Sequence, residues 1–187
     1  MIDKNSISMP EVFEGERATA VRQTHDFDQD LWDMAEKFRG KYNQHLSWIR
    51  KNNTINDVIN HTNDVIQKWD NKEEFGYILQ NKEGKTVGAM RIHSVDYKNH
   101  SAEFAYWLSP EETGNGYVGD TLDRLTNLLF SKDFVRMVIR CNVDNLPSNN
   151  IALRNGYELE GTLRKCRNRD DLFIDYNLYS KINPEYL

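Results

Sequence analysis

Apolar and polar positions change period several times along this chain, and the changes mark its elements. Ala18, Ala20 and Arg22 alternate with Thr19 and Val21, which predicts a first strand over Arg17–Arg22. From Asp26 the spacing turns helical: Leu31, Met34, Ala35 and Phe38 share a face that Gly40 should end. A second helix starts near Thr54 with Val58, Thr62, Val65 and Ile66 on one side. Between the two lies Tyr42–Ile49, rich in aromatics and amides. Strand periods follow at Gly76–Gln80, at Thr86–Val95 with Val87, Ala89, Arg91, His93 and Val95 on one face, and at Ala102–Leu108. Turns at Asn81-Lys82-Glu83-Gly84 and Asp96–His100 separate them. Leu122, Leu125, Leu128 and Leu129 predict a helix over Thr121–Phe130. A β-rich run Arg136–Val143, a short helix Pro147–Arg154 and two closing strands, Tyr157–Arg164 and Leu172–Tyr179, complete the pattern. Residues 1–15 show little periodicity and read as a loose lead-in or a short edge segment. The order is β-α-α-β-β-β-α-β-α-β-β, a mixed α/β domain of about seven strands and about four helices.

Where the strand ending at Leu108 gives way to the helix opening near Thr121, three glycines crowd Thr113-Gly114-Asn115-Gly116-Tyr117-Val118-Gly119. Glycines at a helix start let backbone N–H groups gather around an anion, and the helix end adds partial positive charge. The stretch therefore points to a phosphate-bearing ligand. Two phosphate motifs are set aside. Gly114-x-Gly116-x-x-Gly119 follows several strands rather than the first strand of a βαβ unit, and no Gly-Lys-Ser/Thr is present. Glycines serving only a tight turn remain the plain alternative.

Composition narrows the class. The 187 residues are 39% hydrophobic and 11% aromatic, enough for one domain spanning 1–187 with a real core. A net charge of −5 argues against a general nucleic-acid surface and favours a cationic substrate. Cys141 and Cys166 stand alone without CxxC spacing, which argues against zinc, any other metal site of that kind, and a disulfide framework. Met1–Pro10 lacks an apolar signal core and no run of 18 apolar residues occurs, so no membrane association and a cytoplasmic location are expected.

Four local motifs in order resemble the GCN5-related N-acetyltransferase (GNAT) superfamily. Glu111-Glu112-Thr113-Gly114-Asn115-Gly116 is similar to its Q/R-x-x-G-x-G/A loop except at the first position. Ala102-Glu103-Phe104-Ala105-Tyr106-Trp107-Leu108, Asn145-Leu146-Pro147-Ser148 and Leu153-Arg154-Asn155-Gly156-Tyr157-Glu158-Leu159-Glu160-Gly161 resemble phrases of the Rim-type branch, which acetylates ribosomal-protein N-termini. The resemblance covers about Arg17–Tyr179. It implies a mostly antiparallel central sheet flanked by helices, and direct transfer of an acetyl group from acetyl-coenzyme A to an amine, with no metal. Glu111 departs from the family pattern, and Glu112 adds a second negative charge beside a pyrophosphate.

That reaction needs a base for the amine, a donor for the oxyanion and an acid for the thiolate. Glu103, on a short strand between apolar neighbours, is the candidate base, directly or through a water; an exposed structural charge is its alternative. Ser148 resembles the serine that stands near the coenzyme sulfur in Rim-type relatives, and equally suits a first helical turn. Tyr157 is a second candidate acid, though a tyrosine entering a strand after Gly156 more often belongs to the core. The resemblance places Trp107 and Leu108 beside the pantetheine, with a nearby backbone N–H as oxyanion donor, Thr113 to Gly119 (through Gly114, Asn115, Gly116, Tyr117 and Val118) around the pyrophosphate, and Asn145 on a pantetheine amide, with an ordinary turn at Asp144-Asn145 as the alternative for the last. Asn43, Gln44, His45 and Trp48 are candidates to line the acceptor cleft with Glu103. The expected acceptor is a protein N-terminal α-amine. A small amine such as a polyamine, amino acid or antibiotic, a non-catalytic acetyl-coenzyme A-binding module, and a vestigial interaction protein stay open. So does a homodimer through the last strand or residues 1–15.

Overall fold

The computed structural model describes residues 1–42, 53–169 and 171–187. Among them are strands β1 (Val12–Glu14), β2 (Thr19–Arg22), β3 (Phe75–Gln80), β4 (Thr86–Asp96), β5 (Ser101–Leu108), β6 (Arg136–Asn142), β7 (Glu158–Arg169) and β8 (Leu172–Ile182). The α-helices among them are α1 (Asp28–Tyr42), α2 (Ile55–Asp70), α3 (Tyr117–Phe130) and α4 (Leu146–Arg154). The strands join in one sheet in the order β1-β2-β3-β4-β5-β6-β8-β7. β5 and β6 are parallel, whereas β1–β2, β2–β3, β6–β8 and β7–β8 are antiparallel. Parallel neighbours need a long crossover, which α3 supplies. The parallel ladder runs from Ser101↔Arg136 to Phe104↔Ile139, while β5 itself continues to Leu108.

The chain divides into two compact units. One comprises Ser8–Arg91 and Tyr106–Thr121. Its helix α2 starts on a reciprocal cap: Thr54 Oγ1 accepts from Asp57 N–H at 3.3 Å, and Asp57 Oδ2 accepts from Thr54 N–H at 2.9 Å. Val58, Thr62, Val65 and Trp69 form its buried stripe. A Cβ at Gly76 would come within 2.5 Å of Val65 Cγ1, so glycine there is what lets α2 lie on β3. Leu31, Ala35 and Phe38 of α1 are buried as the helical spacing requires, and Leu31, Val58 and Ile78 form a cluster against which Trp32, Met34, Ala89 and Trp107 pack. Helix α1 passes through Gly40 to Tyr42 instead of ending there. One interior glycine costs a helix only about 1 kcal/mol, too little to stop one anchored along three apolar turns.

The other unit comprises Met1–Ile7, Ile92–Ala105 and Leu122–Leu187. Leu122, Leu125 and Leu129 of α3 and Met137, Ile139 and Cys141 of β6 are its buried stripes. Tyr157 is buried too, with its hydroxyl 2.7 Å from Thr126 Oγ1. β1, three residues long and largely exposed, makes the tail of segment 1–15 a short edge strand, one of the two forms expected of it. Other boundaries differ from expectation. Helix α3 begins at Tyr117, so the last residues of the glycine stretch are helical. β7 runs to Arg169 rather than Arg164 and β8 to Ile182 rather than Tyr179. Most of β7 is exposed, so no apolar alternation marks it, and its length is set by pairing with β8 across two register shifts.

Candidate active site

The glycine stretch is a built turn. Ser109 N–H donates to Val87 O at 2.8 Å, anchoring the end of β5 to β4, and a 3-10 turn over Pro110–Glu112 follows. Gly88 permits the close approach of β4 to β5, because a Cβ there would land on Trp107 O. Thr113 Oγ1 donates to Pro110 O at 3.0 Å and Asn115 Nδ2 to Glu112 O at 3.2 Å, so both side chains serve the loop itself. Gly114 and Gly116 have φ of +89° and +80°, a backbone that side chains rarely adopt, and a Cβ on Gly114 would meet nothing within 4 Å. Gly116 leads into α3, whose first N–H groups have no intrahelical acceptors. Tyr117 and Gly119 fall in that first turn, and Val118 is buried beneath it. The turn thus presents open space, donors and the positive end of a helix, the features a phosphate needs.

Its two acidic residues are neutralised by partners distant in sequence. Lys37 Nζ donates to Glu111 Oε2 at 2.8 Å and Lys85 Nζ to Glu112 Oε1 at 2.6 Å, and the Glu112 carboxylate holds the Lys85 ammonium above its ordinary range. Neither lysine carries a local signal that could have identified it.

Glu103 stands on β5 opposite Val138 of β6 and is buried. Arg140 grips both of its oxygens: Nε donates to Oε1 at 3.0 Å and to Oε2 at 2.9 Å, and Nη2 also donates to Oε2. The carboxylate keeps the guanidinium above its usual range. His93 Nε2 lies 3.8 Å from Glu103 Oε1. Glu103 is therefore a buried, bidentate ion pair flanked by an imidazole, and a proton taken by the carboxylate itself would cost that pairing. The sequence reading missed both Arg140 and His93 as partners.

The β6–α4 turn carries Asn145 and Ser148. Asn145 caps α4, its Oδ1 accepting from Ser148 N–H at 3.4 Å, and Pro147 occupies the first turn. Beneath them the buried Asn149 joins six groups. Its Oδ1 accepts from Tyr179 Oη at 2.7 Å, Asn177 Nδ2 at 2.8 Å and Cys141 Sγ at 3.4 Å. Its Nδ2 donates to Asn145 O at 2.8 Å, Asn142 O at 3.0 Å and Val143 O at 3.4 Å. Burial pushes the Cys141 thiol up to about 11, keeping it protonated and inert. Tyr157 is likewise raised by burial and bonded to Thr126, which marks a core residue.

Glu103, Asn145 and Ser148 belong to one unit, and Trp107, Leu108 and Thr113–Gly119 to the other. Asn43, Gln44, His45 and Trp48 lie outside the described residues. Among the described residues no group of three His, Cys, Asp or Glu side chains could hold a metal, and no helix is long and apolar enough to cross a membrane.

Comparison with known proteins gives the family and the fold. Residues 21–158 match the family described as Acetyltransferase (GNAT) domain. The chain is 37% identical over 102 residues to the "Ribosomal-protein-serine acetyltransferase" of Escherichia coli (strain K12), a match spanning 54% of this chain and 57% of that protein. Among solved structures, the microcin C7 self immunity acetyltransferase MccE in complex with acetyl-CoA and AMP superposes with a TM-score of 0.88 at 25% identity, covering 93% of this chain and 97% of that one. RimL, the ribosomal L7/L12 alpha-N-protein acetyltransferase in complex with coenzyme A, superposes with a TM-score of 0.86 at 22% identity, over 92% and 98% of the two chains, a likeness of fold.

Proposed function

We propose that this chain, which belongs to the acetyltransferase (GNAT) family, transfers the acetyl group of acetyl-coenzyme A to the N-terminal α-amine of a ribosomal protein. The observation that carries the transferase reading is the turn at Gly114 and Gly116 opening α3, with positive φ at both, open space at Gly114 and its acids already neutralised. In this reading the pyrophosphate rests on N–H groups from Thr113 to Gly119, and the pantetheine passes Trp107 and Leu108 with Asn145 at an amide. The amine nitrogen attacks the thioester carbonyl carbon and the carbonyl electrons move onto oxygen, where a backbone N–H near Leu108 receives the charge. The amine's proton goes to Glu103, directly or through a water, and the carboxylate gives up part of its pairing with Arg140 to take it. Collapse breaks the carbon–sulfur bond, and Ser148 donates a hydrogen bond or proton to the departing thiolate. The enzyme works in the cytoplasm.

The acceptor rests on the 37% identity to the Escherichia coli enzyme. A second reading, a small amine that carries a nucleotide, is favoured by the AMP held in the MccE structure. Acetyl transfer measured across N-terminal ribosomal-protein peptides, free amines and amine-bearing nucleotides separates the two. A higher kcat/KM on serine-led peptides supports the first, and turnover confined to the nucleotide conjugates replaces it with the second.

A further inference from the structure

The head of the glycine motif carries Glu111 where the family pattern has Gln or Arg, and a cation lies across the turn from elsewhere in the chain. The segment that brings it is pinned on several sides. Arg17 N–H donates to Asp120 Oδ2 at 2.8 Å and Ala18 N–H to the same oxygen at 3.4 Å. Gly15 N–H donates to Ala18 O at 2.8 Å, and Lys82 Nζ donates to Gly15 O at 2.6 Å. A side chain at Gly15 would land on the Asp120 carboxylate, so glycine is what allows the tight turn to seat against the first turn of α3. The Arg17 side chain then runs over Gly116. A Cβ built on Gly116 would meet Arg17 Cδ at 3.0 Å, Nε at 3.3 Å and Nη1 at 3.5 Å. Nη1 reaches Asn115 O at 3.4 Å, the long limit of a hydrogen bond. A phosphate oxygen adds an opposite charge at shorter range to a donor that now has only a neutral carbonyl at 3.4 Å, and would displace that contact.

We propose that Arg17 is a phosphate ligand of this chain, gripping a pyrophosphate oxygen of the acetyl-coenzyme A substrate from outside the glycine motif, in place of the Gln or Arg donor that Glu111 does not provide. Lys37 and Lys85 complete the arrangement by occupying Glu111 and Glu112, so that neither carboxylate opposes the incoming charge. The guanidinium suits this role because its donors form a fixed fork, which a lysine cannot reproduce. The inference rests on the placement of the pyrophosphate at the glycine turn.

Calorimetric titration with coenzyme A and with dephospho-coenzyme A tests it. Arg17→Ala keeps the backbone bond to Asp120 and should keep the thermal midpoint. It should weaken both ligands equally, by about ten- to hundredfold, and flatten the dependence of affinity on salt. Arg17→Lys should recover only part of the loss. Unchanged affinity in Arg17→Ala overturns the proposal, and a loss confined to coenzyme A overturns it in favour of the 3′-phosphate. Gly116→Asp tells the two levels apart. If it abolishes binding while Arg17→Ala does not, the turn holds the phosphate without Arg17. If neither variant weakens binding, the placement of the pyrophosphate falls with the proposal.

Discussion

Replacing Asn149 by alanine should cost this fold far more than an ordinary polar substitution. The side chain is 7% exposed and sits where β6, β8 and the start of α4 meet. Its loss takes from the hydroxyl of the buried Tyr179 the acceptor 2.7 Å away and leaves it its contact with Asn177, and an under-bonded buried group costs about 1–3 kcal/mol. Asn177 Nδ2 loses its 2.8 Å acceptor as well, though Asn177 is only half-buried and water can replace part of the bond. On the donor side, Asn142 O still accepts from Asn145 N–H at 2.9 Å and Asn145 O from Asn149 N–H at 3.0 Å, so each carbonyl loses a second bond worth about 1 kcal/mol rather than its sole partner. The total is about 3–5 kcal/mol, a large share of the 5–15 kcal/mol typical of a domain. Urea unfolding followed by far-ultraviolet circular dichroism measures it. Tyr179→Phe, which removes the hydroxyl together with its need for a partner, should cost about 1 kcal/mol, and the double variant should cost less than the sum. A loss below about 0.5 kcal/mol for Asn149→Ala, or strict additivity with Tyr179→Phe, would refute the role of Asn149 as the hub of this turn.

Three further outcomes are expected. His61 is held down to about 4, first by burial and then by the Arg91 guanidinium, whose Nη2 lies 3.0 Å from His61 Nε2. The unfolded chain therefore takes up a proton that the folded one refuses, so this contribution is complete above pH 6.5 and lost as pH falls toward 4, by up to about 3 kcal/mol. His61→Gln should flatten stability against pH across that interval, and an unchanged slope would remove the assignment. Glu103→Gln should lower the rate of acetyl transfer by about a hundredfold with coenzyme affinity retained, and wild-type rates would place the base elsewhere. Ser148→Ala should slow transfer, with partial rescue by a thioester whose thiol leaves more easily; a stability loss of about 1 kcal/mol with an undiminished rate would assign the residue to the helix start alone.

What the order of residues determines is whatever depends on neighbours a few positions apart. The buried stripes Leu31-Ala35-Phe38 and Val58-Thr62-Val65, the alternation of β6 and the glycine turn after β5 are all of this kind, because helix and strand periods and the tolerance of glycine for positive φ are local properties. Elements with weak local signals are poorly bounded by sequence for the same reason. β1 and the outer half of β7 are exposed and exist through pairing, and α1 overruns Gly40 because packing outweighs one glycine. Tertiary structure alone decided the electrostatics of the site. Lys37 meets Glu111 across 74 positions, Lys85 meets Glu112 across 27, Arg17 reaches Asp120 across 103, and Arg140 closes on Glu103 across 37. A charge in a sequence has a sign but no partner. Coulombic and hydrogen-bond energies fall off over a few ångströms, so whether Glu111 repels a phosphate or lies neutralised beside it is set by which strand and helix the fold carries to within 3 Å of it.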